Sequence, residues 1–171
     1  ATPLVAGAAT LVRQHLRRDV KINDPSAALI KASLIAGARR LPNPDAGEVL
    51  ADNDQGFGRV NLQAVLAPEG PASVEFIDVE DALETGEVWH HEFVISSVEV
   101  PLRLVLSYSD YPGQSLVNNL NLILISPDGT RHVGNPSSVG DMTMDTINNV
   151  EVIQVNTPVP GGWKIEVVAS N

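Results

Sequence analysis

The sequence has no cysteine and few aromatic residues: two Trp, two Tyr and three Phe. The missing thiols exclude disulfides and thiolate metal sites, and they leave the redox compartment open. Cations are scarce as well. Eleven Lys and Arg stand against 21 Asp and Glu, for a net charge of -10. An acidic chain has no basic surface with which to displace counterions from nucleic acid. The same charge argues against an anionic membrane surface. No apolar run approaches the roughly 18 residues of a spanning helix. Nucleic acid and membrane are therefore not expected partners. What the chain does have is apolar side chains, 43% of its residues, enough to build a core. Its 171 residues allow one or two small domains.

The composition changes near residue 68. Before it the chain is rich in Ala and Leu. A first helix is expected from Pro3 to Arg18, with Pro in the first turn, where its missing N–H costs nothing. Its first half, Leu4 to Val12, is apolar nearly all round, which suits a helix enclosed on every side. Asp24-Pro25 reads as the N-cap and first position of a second helix, "SAALIKASLIAGARR". A polar loop, "NPDAGEVLADNDQGFG", leads to a short third helix in "GRVNLQAVL". The Pro- and Gly-dense "APEGPAS" then marks a boundary between domains 1–67 and 68–171.

Past that boundary the period switches to two. "VEFIDV", "EVWHHEFVI", "PLRLVLSYS", "LNLILIS", "TRHV", "VEVIQV" and "WKIEVVA" read as short strands. Leu102, Leu104, Leu106 and Tyr108 share one face, and so do Trp163, Ile165 and Val167. Turn signals such as Pro127-Asp128-Gly129 lie between. The expected fold is α+β: a helical part followed by an antiparallel β-sandwich or jelly roll.

The opening "ATPLVAGAATLV" resembles the segment just after the nucleophile of subtilisin-like serine proteases. The residues carrying the match are Ala1, Thr2, Pro3 and Gly7. Further on, "DPSAALIKASLIAGA" resembles that family's next helix. "GFGRVNLQAVL", with Gly58, Arg59 and Asn61, resembles the stretch that closes its catalytic domain. The β-prone half is similar to the jelly roll appended to an alkaline-protease branch of the family. There Asn118-Asn119-Leu120-Asn121-Leu122 stands where Asn-Asp-Leu-Asp-Leu is usual. The resemblance implies the helical remnant of an α/β catalytic domain, and a parent that is an extracellular endopeptidase acting on protein or peptide substrates. It places the catalytic Asp, His and Ser and the oxyanion Asn upstream of Ala1. The expected partners are the parent protease domain or a second copy docking through helix one.

A serine hydrolase needs a nucleophile, a base, an orienting acid and an oxyanion hole. The four histidines do not suggest a substitute triad. His15 sits on a charged helix end and reads as solvated. His90 and His91 are strand neighbours pointing to opposite faces. His132 follows a turn and reads as exposed. No Ser lies in a Gly-x-Ser-x-Gly elbow. The chain alone is thus expected to be inactive.

Calcium is the one cofactor the residues suggest, since it takes clustered oxygen ligands on a flexible loop. In "GNPSSVGDMTMDTINNVE", Asp141, Asp145, Asn149 and Glu151 are the candidate ligands, with Asn135 across the loop. The resembling family binds calcium about here, although Pro136 stands where an Asp is usual. An ordinary acidic loop is the competing reading. "ADNDQG" spaces Asp52, Asp54 and Gly56 like the front of a calcium loop, but Phe57 and Gln63 break the pattern and a polar turn is expected. Two functional readings follow: the C-terminal part of a subtilisin-like protease, or a stand-alone β-sandwich binding module with a helical N-terminal extension.

Overall fold

A computed structural model describes residues 1–42, 50–52, 54–138 and 140–170. Most of the first half of the polar loop, 43–49, lies outside the described residues, as do Asn53, Val139 and Asn171. The chain is α+β and divides into two compact units, Ala1–Glu80 and Asp81–Asn171.

In the first unit, α1 spans Thr2–His15 and is prolonged by a π-helical turn, Leu16–Val20. Lys21 ends it in the left-handed conformation, with φ 72°. The helix α2 spans Ala27–Ala36, and α3 is the single turn Gln63–Leu66. Asp24 is not the cap of α2. It pairs with Arg13 at 3.0 Å, and Ser26 takes the capping role. The Ser26 hydroxyl accepts the Leu29 N–H at 3.0 Å, satisfying one of the helix's orphan donors. Val12, Leu16 and Leu29 form the buried centre, with Leu34, Leu62, Leu66 and Phe76 packed around them. Each side chain removed from water there contributes about 1.5–3 kcal/mol.

The unit extends past the Pro- and Gly-dense segment. Asp78 accepts the Ser26 amide at 2.8 Å and its hydroxyl at 2.6 Å, and Phe76 packs on the α1 cluster. These contacts hold residues 68–80 with the helices, so the division falls after Glu80 rather than after residue 67. "VEFIDV" therefore forms no strand; it is extended chain belonging to the helical unit.

The second unit has six strands among the described residues: β1 Val88–Ile95, β2 Leu102–Ser107, β3 Leu120–Ile125, β4 Arg131–Val133, β5 Val150–Val155 and β6 Gly161–Ala169. One sheet runs β1-β6-β3-β4 and the other pairs β2 with β5, all antiparallel. The first strand lies beside the last, and the second beside the next to last, which is a wrapped, sandwich-like order. Leu104 and Ile153 of the small sheet meet Leu122, Leu124, Trp163 and Val167 of the large one in a shared core. The alternation of β1 sends Trp89, His91, Phe93 and Ile95 inward and Val88, His90, Glu92 and Val94 outward.

Candidate functional site

The loop predicted to carry calcium joins β4 to β5 at the corner where the chain leaves one sheet for the other. Gly134 N–H continues the ladder to the Leu122 carbonyl at 2.9 Å. Asn135, at φ 49°, then turns to the second sheet. Its amide donates to the Val152 carbonyl at 3.0 Å, and its side-chain oxygen accepts the Val152 N–H at 2.9 Å. Asn135 thus stands in for a strand residue beside β5.

Glu151 lies on the core-facing side of β5, opposite Leu106, and is 1% exposed. Its Oε2 accepts the Leu122 N–H of β3 at 2.6 Å, while Oε1 is buried without a hydrogen-bond partner. Burial pushes its pKa up to about 7; the Leu122 donor opposes that rise, and the nearby Asp145 adds to it. The carboxylate rests on Gly134. A Cβ there would lie 2.6 Å from the Glu151 Cβ, so the corner requires glycine.

Asp145 takes the Ile147 and Asn148 amides at 2.7 and 3.1 Å, and the side-chain amides of Asn135 and Asn148 at 2.7 Å each. Burial opposes its charge, but these donors win and hold its pKa below the usual range. Asp141 closes its own turn on the Ser137 hydroxyl and the Thr143 amide, which hold its carboxyl well below the usual range. Asn149 donates to the Tyr108 carbonyl at 3.0 Å. Asn135, Asp145 and Glu151 therefore meet at one corner, while Asp141 and Asn149 serve other contacts. Calcium takes six to eight oxygens around one point. Among the described residues no three His, Asp or Glu side chains converge in that way. The donor set present is a group of loop fasteners, and it does not fit calcium without rearrangement.

Asp52 and Gly56 close a tight turn, with the Asp52 Oδ1 accepting the Asp54 and Gln55 amides at 2.9 and 2.8 Å. Its other oxygen meets Arg40. The Gln55 amide leads the contacts that lower the Asp52 pKa, against some desolvation.

The residues shared with the protease motifs fall in the first unit. Ala1 is the N-cap of α1 and its carbonyl accepts the Leu4 amide at 3.0 Å. Thr2, Pro3 and Gly7 are exposed, and a Cβ at Gly7 would meet nothing within 4 Å. Arg59 exchanges both backbone bonds with Arg39, at 2.8 and 2.9 Å. Gly58, at φ 109°, lets that pairing form; a Cβ there would stand 2.6 Å from the Arg39 carbonyl oxygen. Asn61 lies two residues beyond, before α3.

The histidines are arranged mainly for packing. His15 is half-buried rather than solvated, edge-on to Phe76 and 3.0 Å from Asp19. It borders a shallow groove with Leu66, Val74 and Phe76. His91 stacks between Trp89 and Phe93, and His132 lies against Trp163 instead of in solvent. His90 is outward, 3.9 Å from Glu166. The sequence pattern set Glu151 among the candidate calcium ligands of the loop. Its parity with Ile153 and Val155 was the available sign that it points inward.

No helix among the described residues is long and apolar enough to cross a membrane. The chain matches no family model and no curated protein.

Proposed function

We propose that these residues are the C-terminal part of a secreted subtilisin-like serine endopeptidase: the last helices of its catalytic domain followed by a β-sandwich. The observation that carries this reading is the state of α1. Ala8, Val12 and Leu16 are buried, yet Leu4 is 80% exposed and Leu11 48% exposed on a helix whose first half is apolar nearly all round. Gly7 faces open space, although a glycine in a helix costs about 1 kcal/mol relative to alanine. A helix built to be enclosed, with a glycine where a neighbour can approach closely, suits the position after the nucleophile of that fold. In this reading the sheet that encloses α1 and the catalytic Asp, His and Ser belong to the parent protease domain. The close-packed Gly58–Arg59 turn agrees with its place at the end of the catalytic domain.

The second reading, a binding module on its own, draws support from the separate core of the unit Asp81–Asn171. Sequencing the coding region on the 5′ side of the Ala1 codon separates the two. The protease reading expects an in-frame Gly-Thr-Ser-Met block, with Asp and His blocks further upstream. An unrelated upstream sequence overturns it.

A further inference from the structure

We propose that β1 is a self-pairing edge, through which two copies of this chain join their four-stranded sheets into one. Among the described residues β1 is the outermost strand of its sheet and pairs with β6 alone. It runs for eight residues, "VWHHEFVI", without a proline, a lysine or a bulge within it. Those are the usual devices that keep an edge from pairing.

The register follows from the hydrogen-bond alternation. Ala169 N–H donates to the Glu87 carbonyl, so the odd-numbered residues of β1 exchange backbone bonds with β6. The N–H and C=O groups of Val88, His90, Glu92 and Val94 then point to the open edge. Two copies related by a two-fold axis must pair these residues with one another. An axis at His90 would leave Val94 beyond the outer strand of the other copy. An axis at Glu92 would set two glutamates opposite each other. An axis at His91 sets His90 against Glu92 of the second copy, and Val88 against Val94 of the second copy, each pair occurring twice.

The side chains on that edge are available for it. Val94 is 76% exposed and Val88 is exposed. Lys164, the cross-strand neighbour of Glu92, turns to Glu166 at 3.0 Å. Among the described residues Glu92 has no ion pair. Glu166 is held at 3.0 Å by Lys164 and at 3.3 Å by Arg131, closer than its 3.9 Å contact with His90. On the inner face the same register sets Trp89 against Phe93 of the second copy, which continues the stacked row along β1. In one symmetric register a ring nitrogen of each His90 can donate to the Glu92 carboxylate of the second copy, and this donor–acceptor match, made twice, selects a second copy as the occupant.

The test is sedimentation velocity over the micromolar to near-millimolar range. It is run on the 171-residue chain and on its Leu11→Asp variant, which removes association through α1. The Leu11→Asp variant should stop at a dimer, and the unaltered chain should reach a dimer and larger species. In the Leu11→Asp background, His90→Glu and Glu92→Lys should each weaken the dimer about tenfold, since two carboxylates, or a lysine and a histidine without an acceptor carboxylate, then face each other twice. Mixing those two variants should restore dimers. In the mixed pair the introduced glutamate faces the introduced lysine on one side of the axis, and the unaltered Glu92 faces the unaltered His90 on the other. Misfolded variants would not do this. A monomeric Leu11→Asp chain throughout the range overturns the proposal. So does a dimer unaffected by either charge change, or an edge that binds an extended peptide while the chain stays monomeric. None of these outcomes depends on whether the chain derives from a protease.

Discussion

Leu122 on β3 and Glu151 on β5 belong to different sheets, yet the amide of the first donates to the carboxylate of the second at 2.6 Å. The bond replaces a ladder partner at the sheet corner. It also holds a carboxylate in the core beside Asp145. A carboxyl whose folded pKa is raised favours folding when protonated. Glu151 therefore contributes stability that is fully present below its ordinary value of 4.5 and is lost as pH rises through about 7. The loss over that interval is about 3 kcal/mol. The lowered carboxylates, Asp128 at about 2 among them, act the other way and only at lower pH. Urea unfolding should thus show falling stability from about pH 5 to about pH 8, and Glu151→Gln should flatten the slope. A variant with the parent's slope would place the titration elsewhere.

Gly134→Ala should destabilise the second unit by about 1–3 kcal/mol, because the new methyl must push the Glu151 side chain and β5 away. Combining it with Glu151→Gln should give no rescue, since the clash includes Cβ. An unchanged urea midpoint in the single variant would mean that the corner yields freely.

Asp145 tests the calcium expectation. Its oxygens already accept the Asn135, Ile147 and Asn148 donors. Asp145→Ala should therefore cost about 1–3 kcal/mol, and by the same amount in EDTA and in millimolar Ca²⁺. The melting curve of the unaltered chain should not move between those conditions. A bound ion at 100 times its Kd would add about 2.7 kcal/mol, so a clear rise in Tm would show that the loop rearranges around the metal.

Purified chain should not hydrolyse peptide esters or casein above buffer background, and a fluorophosphonate should label no serine. His15 meets Asp19 and Phe76, and His90 meets Glu166, contacts that serve packing and the surface. Stoichiometric labelling would reveal a hydroxyl activated by some other base.

How much of this was readable in the sequence depended on how local the cause was. β1, β2, β3, β5 and β6 follow alternation and turn residues, and each overlaps its expected segment, "EVWHHEFVI", "PLRLVLSYS", "LNLILIS", "VEVIQV" and "WKIEVVA", with ends that differ by up to two residues. "VEFIDV" alternates equally well, but it forms no ladder, because Phe76 and Asp78 are taken by the helical unit. Capping failed by two residues for a similar reason: Asp24 was drawn to Arg13, a side chain 11 positions away. The corner at Gly134, Asn135 and Glu151 joins residues from both sheets, and neither local propensity nor spacing announces such a meeting.

The last prediction separates the covered and uncovered sides of α1. Val12 is 0% exposed at the centre of the helical cluster, whereas its neighbour Leu11 is 48% exposed. Val12→Asp buries an unpaired carboxylate among Leu16 and Leu29, and it should unfold the first unit, a loss of several kcal/mol. Leu11→Asp exchanges a half-wet leucine for a solvated charge, and it should change folding stability by less than about 1 kcal/mol. What it should change is association. Leu4, Val5 and Leu11 expose apolar surface along one helix, and such patches find partners. Static light scattering of the unaltered chain should show mass rising with concentration beyond a dimer. Leu11→Asp should remove that rise while its melting curve stays in place. If the unaltered chain and Leu11→Asp scatter alike at every concentration, α1 is not a contact surface between copies, and its exposed residues await a different neighbour.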